Sequence, residues 1–102
     1  MKYFTVYILE CADASFYTGI TSNLASRIAI HQSGKTRGYT SSRLPVILVW
    51  YKEFIDDPSQ AIIWEKRIKG WSRRKKKALI NGDWDKMVQY SKNYTEYNHK
   101  ID

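Results

Sequence analysis

Five side chains in this sequence have types that do chemistry together: two tyrosines, Tyr7 and Tyr17; an arginine and a histidine, Arg27 and His31; and one isolated carboxylate, Glu65. Glu65 is the only acidic residue between Asp57 and Asp83, and its neighbours are tryptophan, isoleucine and cations. On a helix from Pro58 to Lys69, positions 61, 62, 65 and 68 form one stripe, which places Glu65 in an otherwise apolar, sheet-facing row. A carboxylate facing inward must be ion-paired, hydrogen-bonded or bound to a metal. Arg27 or a neighbouring lysine could supply the pair. Arg27 could equally hold a phosphate, because its planar fork matches either anion. His31 follows it at i+4, so both project from one helix face, although a lone helical histidine is ordinarily a surface or capping residue. The tyrosines have a plain alternative too, as strand aromatics of high β propensity.

These residues need elements to hold them. Tyr3–Leu9 and Phe16–Ile20 read as two strands joined by the small and polar stretch Glu10–Ser15. A hairpin folding about Ala12–Asp13 sets position 7 opposite 17 or 18, so that Tyr7 and Tyr17 share a face in direct pairing. A one-residue slip would send the two hydroxyls to opposite faces. Thr21 or Ser22 can cap a helix running to about Gln32, with Leu24, Ala25 and Ile28 as its apolar stripe. A glycine-bearing polar loop with Lys35 and Arg37 follows. Val46–Tyr51 is a continuous apolar run of strand length and reads as a buried central strand. Asp57 as N-cap, Pro58 at the first position and Gln60 as the capping-box partner start the next helix, which stops at Gly70. Ser72 caps another from Arg73 to about Ile80. Asp83 caps a last short one around Trp84, Met87 and Val88. The four tryptophans read as core or core-edge aromatics, with base stacking as a rival for Trp71. The order predicts an α+β fold: a small three-stranded antiparallel sheet flanked by helices, in one domain over 1–90, with a loose tail over 91–102.

The charge is concentrated. The chain of 102 residues carries +7, and the 13 residues from Glu65 to Lys77 hold eight cations and one anion, a local +7 that leaves the remainder neutral. Lys66, Arg67, Lys69, Arg73, Arg74, Lys75, Lys76 and Lys77 form that block, the footprint of a face that binds a polyanion. A solvated helix surface is the plain alternative. Acidic lipid is disfavoured because no membrane anchor adjoins the block. No apolar run reaches the roughly 20 residues of a membrane span, and no signal-peptide pattern opens the sequence. Cys11 is the single cysteine, which rules out an intrachain disulfide and suits a reducing, cytoplasmic setting. With only His31 and His99 beside it, and those widely separated, a structural zinc site is disfavoured. No Walker loop, dinucleotide fingerprint, carboxylate pair or Cys/His nucleophile pattern is present.

Val6-Tyr7-Ile8, then Tyr17-Thr18-Gly19, then Arg27 and His31, then Glu65 on a later helix, together resemble the GIY-YIG nuclease superfamily, in particular its small single-domain bacterial members. The likeness runs from about position 3 to 82 and includes Tyr39-Thr40-Ser41 followed by Arg43-Leu44-Pro45. The resemblance implies hydrolysis of a phosphodiester bond in nucleic acid, DNA above all, in repair or in processing irregular structures, with one divalent metal, Mg²⁺ or Mn²⁺. It puts the metal on Glu65 and the added charge of the transition state on Arg27. Tyr7, Tyr17 and His31 would activate the attacking water, without deciding which of them is the base; the tyrosine would need Arg27 and the metal to depress its pKa. Lys66, Lys69, Arg73, Arg74, Lys75, Lys76 and Lys77, with Lys35 and Arg37, would hold the nucleic acid. Gly19 and Asn81 are added as candidates, Asn81 for an asparagine that many relatives have after the glutamate helix.

The sequence departs from the pattern in four ways. Val6 stands where the first motif has glycine, Thr18 stands for isoleucine, and Ile20 replaces a lysine of some relatives. Larger relatives carry a separate DNA-binding domain, which leaves targeting here to the basic block or to a partner. Two other classes stay open: a nucleic-acid-binding module, for DNA or RNA, that does not cut, and an interaction protein without nucleic acid. The last leaves the concentration of charge unexplained.

Overall fold

In the computed structural model, which describes residues 1–35 and 37–90, three strands form one antiparallel sheet in the order β2-β1-β3. β1 spans Tyr3–Glu10, β2 Phe16–Thr21 and β3 Ile47–Ile55. The first two are joined as the predicted hairpin, but its axis is shifted. The loop is Cys11–Ser15, with Ala14 N–H donating to Cys11 O and Cys11 N–H to Ser15 O, both at 2.9 Å. Asp13 accepts from the Ser15 N–H at 3.1 Å and from its hydroxyl, an Asx turn that centres the hairpin on residue 13. The register is therefore Tyr7↔Gly19 and Leu9↔Tyr17. The expected direct pairing of Tyr7 with Tyr17 is absent. The shared face survives, because 17 and 19 have the same parity, and the tyrosines are diagonal neighbours within reach of aromatic rings.

The central strand is β1, with Val6, Tyr7, Ile8 and Leu9 fully buried, and not the apolar run at 46–51 that was expected there. β3 is an edge: Ile47, Tyr51 and Ile55 are all more than half exposed. Being apolar made that run look internal, whereas hydrogen-bonding on both flanks, which only the fold confers, is what buries β1. β3 slips by one residue at Ile8/Leu9, pairing Ile8 with Trp50 but Leu9 with Leu48. That bulge brings Leu48 to the cluster of Tyr7, Leu9, Cys11 and Val46, against which Leu24 and Ile28 also pack.

Helix α1 covers Leu24–Ser33 and is capped by Asn23, whose side chain accepts from the Ser26 N–H, rather than by Thr21 or Ser22. Thr21 supports the cap instead, its hydroxyl accepting from the Asn23 N–H at 3.1 Å. Gly34 ends the helix in the left-handed region at φ 68°. Helix α2 covers Pro58–Lys69, with the predicted Asp57 cap accepting from Gln60 N–H at 3.1 Å. It packs on all three strands. Ala61, Glu65 and Ile68 form its buried stripe, and Ile62, expected among them, is exposed.

The chain divides into two compact units, one from Met1 to Gly70 and a second beginning at Trp71. The second contains α3, Arg73–Ile80, capped by Ser72, and a further helical run over 84–90 whose cap is Asp83. Trp84 is 61% exposed, against its expected place at a core. The tail expected over 91–102 lies outside the described residues. Among the described residues, no helix is long and apolar enough to cross a membrane.

Candidate active site

Tyr7 and Gly19 face one another across the β1–β2 ladder, and the Tyr7 ring lies over the glycine. A β-carbon at position 19 would come within 2.5 Å of Tyr7 Cζ and 2.9 Å of Cε1, and against the hydroxyl. Glycine is needed here for close approach, and the bare backbone lets the buried ring cross to its partners. Those partners come from α1 and the loop after it. Tyr7 Oη is 2.9 Å from His31 Nε2, and His31 Nδ1 is 2.8 Å from Thr40 Oγ1. The Tyr7 and Tyr17 rings lie 6.3 Å apart, Tyr17 and His31 5.1 Å, and Tyr7 and His31 5.9 Å. Three titratable rings predicted from separate elements therefore meet in one triangle.

Arg27, one helical turn before His31, stays exposed, and its charge acts on the Tyr7 phenol. With Tyr17, His31, Arg37, Tyr39 and Thr40 it lines a cavity of about 310 Å³. Two cations at the edge of a hydroxyl- and imidazole-lined cavity suit an anionic group such as a phosphate.

Glu65 comes from α2 and is 8% exposed. Its Oε2 is 2.8 Å from Lys69 Nζ, one turn on. The ion pair that an inward carboxylate requires is thus supplied by a lysine and not by Arg27. Glu65 belongs to the same constellation, because its charge disfavours ionisation of Tyr7 and its partner Lys69 feels Tyr17. The tyrosine pair is what the α1 side and the α2 side of the site share.

The electrostatics favour the neutral forms of Tyr7 and His31. Burial, and then the neighbouring Tyr17, push the Tyr7 phenol up to about 12, against the opposing pull of Arg27. The expected depression of that phenol by Arg27 is outweighed by desolvation. Burial and the Arg27 charge hold His31 below the ordinary imidazole range. Lys69 is raised by its bond to Glu65.

Among the described residues no three His, Cys, Asp or Glu side chains converge as a ready-made metal cage. A lone buried carboxylate does fit a hard cation such as Mg²⁺, which keeps several waters and takes its remaining oxygens from phosphate. Lys69 occupies one oxygen of that carboxylate, but its side chain is 59% exposed and has room to swing away.

Of the basic residues, Lys35, Arg37, Lys66, Arg73, Arg74 and Lys77 are exposed. Lys75 is 7% exposed and sets its ammonium 3.8 Å from the centre of the Trp71 ring. Lys69 is engaged by Glu65. Asn81 is the C-cap of α3, its N–H donating to Leu79 O and Lys77 O. Sequence reasoning gave Tyr39, Thr40 and Arg43 no role. Tyr39 stacks on Tyr17 with rings 6.1 Å and 28° apart, and Arg43 lies 3.9 Å over Tyr39. Their one visible signal was the cluster Tyr39-Thr40-Ser41 and Arg43-Leu44-Pro45, which follows a stretch of glycine, threonine and the cations Lys35 and Arg37.

The chain is similar to known proteins over most of its length. The UPF0213 protein SH2523 of Staphylococcus haemolyticus is 47% identical over 75 residues, covering 74% of this chain and 90% of that one. A solution NMR structure of the UPF0213 protein BH0048 from Bacillus halodurans is 44% identical with a TM-score of 0.52, over 78% of this chain and 83% of that one. A second, of EF2693 from E. faecalis, is 32% identical with a TM-score of 0.56, over 80% and 86%. Residues 3–78 match the GIY-YIG catalytic domain, and the chain belongs to that family.

Proposed function

We propose that this member of a nuclease superfamily is a metal-dependent endonuclease that hydrolyses phosphodiester bonds in DNA, on irregular structures such as those met in repair. The observation that carries the reading is the convergence of Tyr7, Tyr17 and His31 within hydrogen-bond and ring-contact distance, with Arg27 on one side and the buried Glu65 carboxylate coupled to the other.

The scissile phosphate enters beside Arg27, whose fixed charge stabilises the extra negative charge of the pentacoordinate transition state. A water in line with the leaving oxygen loses its proton toward Tyr7. A phenol held near 12 is a poor base by itself, so Tyr7 acts as a relay and passes its own proton 2.9 Å to His31 Nε2. His31 is suited to receive it because burial keeps the imidazole neutral. Tyr17 packs against both rings and holds their angle. Glu65 would hold Mg²⁺ or Mn²⁺, which when bound supplies charge neutralisation at the phosphate and the leaving oxygen. Lys69 holds the carboxylate in its orientation until then. Arg37 and the exposed cations Lys66, Arg73, Arg74 and Lys77 attract the backbone of the nucleic acid.

The test is incubation of purified protein with plasmid, flap and junction DNA in Mg²⁺ or Mn²⁺. Cleavage that Glu65→Ala abolishes and EDTA stops is the expected result. Failure of every substrate, or cleavage undiminished in Glu65→Ala, overturns the reading.

A second reading draws on one observation, the Glu65–Lys69 pair, which is what a carboxylate retained for structure would form. It makes the chain a nucleic-acid-binding module, for DNA or RNA, without cleavage. Salt-sensitive binding that persists in EDTA and in Glu65→Ala, with no product on any substrate, would select it.

A further inference from the structure

His31 makes two hydrogen bonds through opposite ring nitrogens, and a neutral imidazole has one donor nitrogen and one acceptor. Fixing the proton at one nitrogen therefore fixes the role of the other. The direction follows from the two hydroxyls that the ring bridges. A phenol is a stronger hydrogen-bond donor and a weaker acceptor than an aliphatic hydroxyl, so Tyr7 takes the donor role and Thr40 the acceptor role. The single proton of Tyr7 then needs an acceptor of its own. Among the described residues, the acceptor at hydrogen-bond distance is His31 Nε2, at 2.9 Å. With Nε2 bare, the ring proton sits on Nδ1 and is donated to Thr40 Oγ1 at 2.8 Å.

We propose that Thr40 is a positioning residue for the cleavage reaction: its buried hydroxyl accepts the Nδ1 proton of His31 and so holds Nε2 as the acceptor for the proton of Tyr7. Its part in cleavage rests on the nuclease reading above, whereas the tautomer is a property of the free protein.

Thr40 is built to stay where it is. It is 4% exposed, and the backbone on both sides of it is pinned. Arg43 N–H donates to Thr40 O at 3.0 Å, and the Arg43 guanidinium donates to Tyr39 O at 2.8 Å. Arg43 Nε meets Asp13 Oδ2 at 3.1 Å, and Ala12 N–H donates to Arg43 O at 2.9 Å. An exposed ion pair of this kind is worth little alone. Here it converges with three further contacts to tie the loop after α1 to the β1–β2 turn. The groups facing the imidazole are Tyr7 from β1, Tyr17 from β2, Arg27 from its own helix, and Arg37 and Tyr39 from the loop.

The experiment is nitrogen-15 NMR of the full chain in a His99→Gln background, which leaves His31 as the only histidine. At pH 8 the long-range proton–nitrogen correlation is expected to report the Nδ1–H tautomer. Thr40→Ser, which keeps the hydroxyl, retains that pattern. Thr40→Val, which keeps the shape and removes the hydroxyl, loses it toward Nε2–H. In the cleavage assay Thr40→Val lowers kcat by about tenfold or more with KM nearly unchanged, and Thr40→Ser recovers most of it. An Nε2–H tautomer in the protein with Thr40 intact overturns the proposal, and that measurement needs no variant at position 40. So does an unchanged tautomer in Thr40→Val. If no substrate is cut at all, the nuclease reading falls while the tautomer still decides the role of Thr40.

Discussion

The Tyr7 ring rests on the α-carbon of Gly19, its partner across the β1–β2 ladder. Tyr7 is fully buried and bonded at its tip to His31, so it has no direction in which to yield. Gly19→Ala is expected to cost about 1–3 kcal/mol of stability, the usual penalty for overpacking a filled site. It should also reduce cleavage to the level of Tyr7→Phe, because the hydroxyl leaves its partner. Denaturant unfolding and the plasmid assay check both; a variant normal in each would mean that the ring can move off the glycine.

Thr18 carries a different liability. It is 2% exposed, and its Oγ1 has no hydrogen-bond partner. A buried hydroxyl left unpaired has lost its hydration without compensation. Thr18→Val keeps the branched shape that suits a strand and removes the unsatisfied oxygen. An increase in stability of about 1 kcal/mol is expected, read as a higher urea midpoint at unchanged slope. A drop instead would show that the hydroxyl is satisfied in solution.

The pH dependence follows from His31. Burial and then Arg27 lower its pKa, so the imidazole stays neutral and able to accept a proton below the ordinary value of about 6.5. The acid limb of kcat/KM is therefore expected below pH 6.5. The same shift makes the folded state lose stability as pH falls through that value, since the unfolded chain binds the proton first. Arg27→Gln removes one of the two causes and should raise the His31 midpoint in an NMR titration, whether or not the variant cleaves. A midpoint that falls or stays put would separate Arg27 from His31.

Lys75 and Lys77 should behave differently despite sitting two residues apart on α3. Lys77 is exposed, whereas Lys75 is buried with its ammonium over Trp71. Each phosphate contact contributes roughly 0.9 to the slope of log affinity against log salt on duplex DNA. Lys77→Ala is expected to lower that slope by about 1 and leave stability alone. Lys75→Ala should lower stability through lost packing and desolvated cation–π contact, with the slope little changed. Equal effects on the slope would show that Lys75 reaches the nucleic acid.

The order of elements, the Asp57, Ser72 and Asp83 caps and the α+β class were all legible in the sequence, because each rests on interactions within a few residues. Caps, turns and helical periodicity are local. Glu65 was legible as an inward carboxylate for the same reason: its stripe is set by the helix that carries it. Which partner it takes is nearly local as well, since Lys69 is one turn away.

Other features required the chain to close on itself. The apolar run at 46–51 could not reveal that β3 is an edge, because a strand is central only through neighbours on both sides. The direct Tyr7–Tyr17 pairing failed because hairpin register depends on the turn, and here Asp13 and Ala14 moved its axis. Thr40 stood in the Tyr39-Thr40-Ser41 run, but nothing local assigned it a role. Its bond to His31 joins a loop to a helix, and the loop is held in place by Arg43 gripping Asp13 from 30 residues away. Residue types and local spacing determined which groups could do the chemistry. Only long-range packing, which pays the entropy of bringing distant segments together, decided which of their atoms meet.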